Sequence, residues 1–202
     1  MPRIRAESIA AHKEATRTSL FDAATACFGA YGYRDTTLAD VTSYAGIGRT
    51  TIYEYFTDKE DLLVQLVEST VPEVVSGLIA GLPPDLTTRE RLSELIVRGL
   101  ELVSSDETVG GSLMHQLPTL SPEAQRRIRA THSALEDEIE TLCTRGIAAG
   151  EFRPFDPRDA SRLVFATMMG ASQGLIRSGE AKQKVHETAE TLVRFVFDGL
   201  SA

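Results

Sequence analysis

Arg49, Thr50, Thr51, Tyr53, Tyr55 and Lys59 gather hydrogen-bonding chemistry into one short stretch of the chain. A guanidinium matches the two acceptors on the major-groove edge of guanine, threonine hydroxyls serve bases or phosphates, and tyrosine hydroxyls reach phosphate oxygens. Lys59 stands where a helix is expected to open, so its ammonium and the free backbone amides there would both favour a phosphate. Ile52 and Phe56 interleave with these residues, which predicts one buried face and several chemical ones. Glu54 adds a carboxylate that could accept from cytosine N4 or repel phosphate.

Such a surface needs short, rigid elements behind it. Thr37-Leu-Ala-Asp40 is a helix start, with a hydroxyl for orphan amides and a carboxylate in the first turn. Leu38, Val41 and Ala45 then share a face, Gly46 can take the left-handed conformation that stops the helix, Ile47 can plug inward, and Gly48 allows a sharp re-entry. The spacing predicts two short helices, Thr37 to Ala45 and Arg49 to Tyr55, joined as a helix-turn-helix whose second helix fits the roughly 12 Å major groove. Thr57 and Asp58 are the capping candidates for the helix that opens at Lys59, and Thr57 to Glu60 has capping-box spacing.

Outside this region the apolar residues also recur at three and four, as in Leu20, Ala24, Cys27, Phe28 and Tyr31, and no alternating strand pattern is evident. Prolines at 83/84, 118/122 and 154/157 punctuate the long periodic stretches, while Pro72 suggests a kink or break. The expected fold is all-α with about nine helices. A first helix ends near Gly32, and the two short helices and the one opening at Lys59 follow. The remaining helices run from Arg89 to Ser104, Val109 to Leu117, Pro122 to Ala149, Arg158 to Ser178 and Lys182 to Leu200. The corresponding division is an N-terminal three-helix DNA-binding domain with its arm, residues 1–58, and a C-terminal helical domain, residues 59–202.

Composition narrows the function classes. With 42% hydrophobic and 25% charged residues the chain has ordinary globular values, so a packed core is expected rather than disorder. Cys27 and Cys143 lie far apart in apolar helical patterns, and the four histidines lack ligand spacing, so neither a metal nor another cofactor is expected. The net charge of −8 argues against nucleic acid as a total, but residues 1–60 carry seven basic and eight acidic side chains and most of the excess lies downstream. Leu163 to Ile176 is too short and polar for a membrane span, and Met1 to Lys13 has no apolar segment behind Arg3 and Arg5, so a cytoplasmic protein without a membrane partner is expected. Arg3 and Arg5 read as a mobile tail or a minor-groove arm. A helical enzyme with a small-molecule pocket and an interaction module without DNA binding are the alternatives. No paired nucleophile and base or phosphate loop supports the first.

Leu20 to Leu63 resembles the DNA-binding region of the TetR family of transcriptional regulators. The resemblance is carried by Ala23-Ala24, Phe28, Gly32-Tyr33, Thr36-Thr37-Leu38, Ala45-Gly46-Ile47, Thr51-Ile52-Tyr53, Tyr55-Phe56, Lys59-Glu60 and Leu62-Leu63. It implies that Thr37, Arg49, Thr50, Thr51, Tyr53, Tyr55 and Lys59 face double-stranded operator DNA, and that the protein is a repressor released from a near-palindromic operator by a small-molecule effector. Gly48 departs from the serine often found at its position.

Ala166, Gly170 and Gly174 repeat at four along one helix and permit close backbone approach, while the last helix supplies Leu192, Phe195 and Val196. The resemblance implies that these two helices pair with their copies in a homodimer. Met114, His115, His132, Met168, Met169 and Gln173 are the candidates for lining an effector cavity, since methionine tolerates irregular packing and the polar groups could orient a ligand.

Overall fold

A computed structural model describes residues 2–104 and 116–201 of the chain. Among the described residues there are eight α-helices and no strand, only an isolated antiparallel bridge between Phe152 and Ser201.

Helix α1 (Pro2–Asp35) buries Leu20, Ala23, Ala24, Cys27 and Phe28, the face that their spacing sets. Pro2 already belongs to α1, so Arg3 and Arg5 continue a helix where a mobile tail was expected. At Gly32 the backbone leaves the helix with φ 79° and ψ 158°, a conformation open to glycine. Thr36, fully buried, ties the corner down by donating to the carbonyls of Gly32 (2.8 Å) and Cys27 (3.2 Å). Helix α2 (Leu38–Ala45) follows, and Gly46 closes it in the left-handed region at φ 67°. There Gly46 N–H reaches Ser43 O and Ile47 N–H reaches Thr42 O, a Schellman closure that turns Ile47 onto the core as its sequence position predicts.

Helix α3 (Lys59–Ala80) is long and apolar enough to cross a membrane by length and composition. Here it joins two cores instead. Leu62, Leu63, Val64 and Leu66 pack with α1, α2 and the residues around Ile52 and Phe56, whereas Val75 packs with the C-terminal helices. Pro72 lies inside α3 and does not end it.

The C-terminal helices are α4 (Thr88–Ser104), α5 (Pro122–Ala130), α6 (Ser133–Ala148), α7 (Pro157–Ser178) and α8 (Ala181–Leu200). The single helix expected from Pro122 to Ala149 is broken at Thr131 and His132. Thr131 Oγ1 donates to Ile128 O at 2.6 Å and His132 takes φ −98°, ψ 6°, so the ladder stops without a proline or glycine to announce it. The break has a purpose in packing: Leu120, Ala124 and Ile128 belong to the N-terminal core, while Leu135, Ile139 and Leu142 belong to the C-terminal one. The helix expected at Val109 to Leu117 falls mostly outside the described residues, which resume in a 3-10 turn at Leu117–Thr119.

Candidate nucleic-acid interface

The reading segment is shorter than its sequence suggests. In place of a helix from Arg49 to Tyr55 there is one 3-10 turn, Thr51–Glu54, entered through Thr51 N–H to Gly48 O (2.9 Å) and left through Phe56 N–H to Ile52 O (2.9 Å). Threonines and an isoleucine in succession crowd a longer helix, and Gly48 and Asp58 bound it on either side. Ile52 and Phe56 are fully buried, as expected, and hold the turn against α1. Gln65 on α3 donates to Tyr55 O (3.4 Å) and to both Asp61 oxygens, and its own Oε1 accepts from Arg17 of α1 (3.1 Å).

Arg49, Thr50, Tyr53 and Glu54 are exposed beside this turn; Thr51 and Tyr55 are half-buried. Tyr44, at the end of α2 five residues before Arg49, is 67% exposed and was not a candidate from the sequence; it lies off the apolar face of Leu38, Val41 and Ala45, which is the signal that could have found it. Thr37 forms the expected cap, its Oγ1 accepting from Asp40 N–H (3.2 Å), while its own N–H and O–H both donate to Asp40 Oδ2 (2.8 and 2.6 Å). These bonds hold the Asp40 carboxyl below the usual carboxylate range, and the positive charge of Arg49 adds to them. Both Thr37 donors are therefore engaged within the chain, which leaves its hydroxyl only an acceptor site for any further partner.

Lys59 departs most from expectation. Its ammonium is turned inward onto the carbonyls of Tyr33, Arg34 and Thr36, so it does not project towards a phosphate. Nor does the start of α3 favour an anion, because Asp58 caps it, Glu60 and Asp61 occupy its first turn, and Thr57 N–H is already held by Asp61.

A family model described as bacterial regulatory proteins, tetR family, matches residues 20–66, and one described as tetracyclin repressor-like, C-terminal domain, matches residues 85–200, more than half of the chain. The chain belongs to the TetR family. It is a helix-turn-helix transcriptional regulator of the all-α TetR fold. Among curated TetR-type relatives, the fatty acid metabolism regulator protein of Bacillus subtilis is 24% identical over 74% of this chain and 77% of its own. The HTH-type transcriptional repressor ComR of Escherichia coli is also 24% identical, over 88% and 87%. Two solved structures share the fold at TM-score 0.73 and 22% identity. They are the B. subtilis regulator FadR in complex with stearoyl-CoA (87% of this chain, 97% of that one) and a Saccharomonospora viridis regulator in complex with choline (94% and 99%). These relatives are regulators rather than enzymes.

The residues expected at the dimer interface and around the effector differ in burial. Ala166, Gly170 and Gly174 are exposed along α7, and a Cβ added at either glycine would meet nothing within 4 Å. Phe195 on α8 is also exposed, at 66%, whereas Leu192 and Val196 belong mainly to the chain's own core and reach the surface only at the floor of the grooves beside it. Two grooves flank Phe195, one of about 530 Å³ and one of about 570 Å³ that includes Leu163 and Thr167. Of the effector candidates, Met168 is buried against Gly99 of α4, Met169 is half-buried at the core edge, and Gln173 accepts from Arg177 (3.1 Å) at the surface. Met114 and His115 lie outside the described residues.

His132 occupies the α5–α6 break, its ring 5.6 Å from that of Phe165 and its Nδ1 3.3 Å from Ile128 O. Burial pushes its imidazole below the ordinary 6.5, against the opposing pull of Ile128 O and Glu136. The unfolded chain therefore binds this proton more readily than the folded one, so the stability is complete above about pH 6.5 and declines as pH falls through that value towards the depressed one. Thermal midpoints measured across this window for the protein and for His132→Leu should diverge, the variant lacking part of the acid decline. Parallel profiles would remove His132 as its source.

Proposed function

We propose that this chain is a repressor that binds a near-palindromic DNA operator as a homodimer in the cytoplasm and is released by a small-molecule effector. The observation that carries the reading is the exposed row of Arg49, Thr50 and Tyr53 on a turn whose other side, Ile52 and Phe56, is completely buried. Such a turn presents its hydrogen-bonding groups without freedom to retract. Thr51 and Tyr55 border it, Tyr44 precedes it at the end of α2, Thr37 contributes at most an acceptor, and no reaction is assigned to the protein. The division at residues 58/59 separates the reading head from the effector and dimer helices, with α3 shared between their cores.

The effector space is assigned to the C-terminal core near His132, Phe165 and Met168, where the imidazole lies 5.6 Å from the Phe165 ring. The ligands named for the structural neighbours, stearoyl-CoA and choline, differ too much to fix a ligand class. Release acts through α5, which carries the head contacts of the C-terminal region. Arg127 forks onto Glu68 at 2.8 and 2.7 Å, and Ser121 binds Glu60 through both its N–H (2.9 Å) and Oγ (2.5 Å).

The test is a selection of bound duplexes from a random DNA pool, repeated with Arg49→Ala. A bidentate guanine contact predicts a lost preference at one position per half-site, about 1 to 3 kcal/mol in discrimination. An unchanged ranking of operator variants would remove Arg49 as base reader, and the absence of any enriched sequence with the unaltered protein would remove the function.

A further inference from the structure

Lys59 Nζ lies 2.7 Å from Tyr33 O, 2.8 Å from Thr36 O and 3.0 Å from Arg34 O. An ammonium has three donors, and all three are satisfied by these carbonyls. The nitrogen also sits 4.6 Å from the centroid of the Tyr33 ring, at a favourable range for a cation over an aromatic face. The three carbonyls belong to the corner where α1 gives way to α2, beyond the turn at Gly32, where the helix end leaves carbonyls without amide partners. Burial makes the charge less favourable and Asp35 restores part of it, as expected for an ammonium drawn into a structural site.

Lys59 thus connects three elements at one point. It opens α3, its head grips the α1–α2 corner, and the reading turn Thr51–Glu54 ends only a short loop before it. We propose that Lys59 is a positioning residue for DNA reading: its ammonium fixes the pitch of α2 and the reading turn against α1 and α3, and makes no phosphate contact itself. The proposal rests on the DNA-reading function above.

Lys59→Arg and Lys59→Met in the full chain separate this role from the alternatives. A guanidinium keeps the charge but is a flat fork that cannot converge on three carbonyls, so the two variants should behave alike. Each should bind the duplex selected from the random pool about tenfold or more weakly. Each should also lose preference for that duplex over random DNA, measured well below its thermal midpoint with its helicity intact. The slope of log affinity against log salt should stay that of the unaltered protein. A phosphate contact would show the opposite pattern, with Lys59→Arg near normal and the slope for Lys59→Met shallower by about 0.9 per half-site, about 1.8 for the dimer. A purely structural role would lower the midpoint while leaving the preference ratio of the folded protein unchanged, and that too would overturn the proposal.

Should either variant fail to fold, the ammonium resonance of Lys59 in the unaltered protein decides. The same shift with and without the selected duplex supports the clamp, and a scalar coupling to phosphorus overturns it. If the unaltered protein bound no duplex at all, DNA reading would fall and the positioning role with it.

Discussion

Replacing Leu163 and Phe195 together by aspartate should leave a folded chain that no longer dimerises and that holds its operator no better than random DNA. Both side chains are large, apolar and two-thirds exposed, at 68% and 66%, and they share one groove across α7 and α8. Exposure of this kind at neighbouring positions marks an interaction surface more often than an accident. The small residues Ala166, Gly170 and Gly174 continue along the same helix, exposed, with open space around the glycines. Neither Leu163 nor Phe195 belongs to the cores formed by the described residues, so the substitutions should change the stability of the isolated fold by less than about 0.5 kcal/mol each.

In a dimer, the two aspartates from each copy would meet buried apolar surface without partners, a penalty no interface of ordinary size absorbs. A lone head covers only a half-site, and the loss should approach the gap between specific and non-specific binding, about a thousandfold or more. Sedimentation gives the mass and a salt-matched titration gives the affinity. A variant that sediments as a dimer with normal operator affinity would remove this face from the interface. Gly170→Leu sharpens the reading: the isolated chain has room for the side chain, so any loss of dimer would come from a second copy.

The parts of the fold legible in the sequence are those governed by neighbours in the chain. The cap of Thr37 with Asp40, the left-handed Gly46 and the inward Ile47 each depend on residues within a few positions, and they stand as the spacing predicts. So does the burial of Ile52 and Phe56, and the limits of α7 and α8 fall within one residue of those expected. What was not legible depends on distant partners. Lys59 has the sequence position of a phosphate contact, and only the arrival of the Tyr33 to Thr36 carbonyls redirects it. Periodicity marks Leu192, Phe195 and Val196 alike as apolar helix positions but cannot say that two of them face inward and one outward. The break at Thr131 and His132 carries no breaker residue; it follows from α5 packing on the head while α6 packs on the C-terminal core.

Gly146→Ala should destabilise the protein although it places a better helix former within α6. Helix propensity alone would favour alanine by about 0.8 to 1 kcal/mol. Packing opposes it, because a Cβ at this position would fall 2.2 Å from Cδ2 and 2.4 Å from Cε2 of Phe152. That ring cannot simply swing aside. It is 2% exposed and packs 6.0 Å from the ring of Phe197, and the N–H groups of Glu151 and Phe152 both donate to Gly146 O, at 2.9 and 3.1 Å. The bridge between Phe152 and Ser201 further ties this corner to the end of α8. Overpacking of a well-filled core costs about 1 to 3 kcal/mol, which outweighs the propensity gain over most of that range. For a chain of this size each net kcal/mol should lower the thermal midpoint by about 2 to 4 °C. The contact also predicts non-additivity: Phe152→Leu opens space, so the double variant should be more stable than the sum of the two single effects allows. A midpoint raised by Gly146→Ala, or a strictly additive pair, would show that the helix and the Phe152 ring are not in the close contact that makes glycine necessary here.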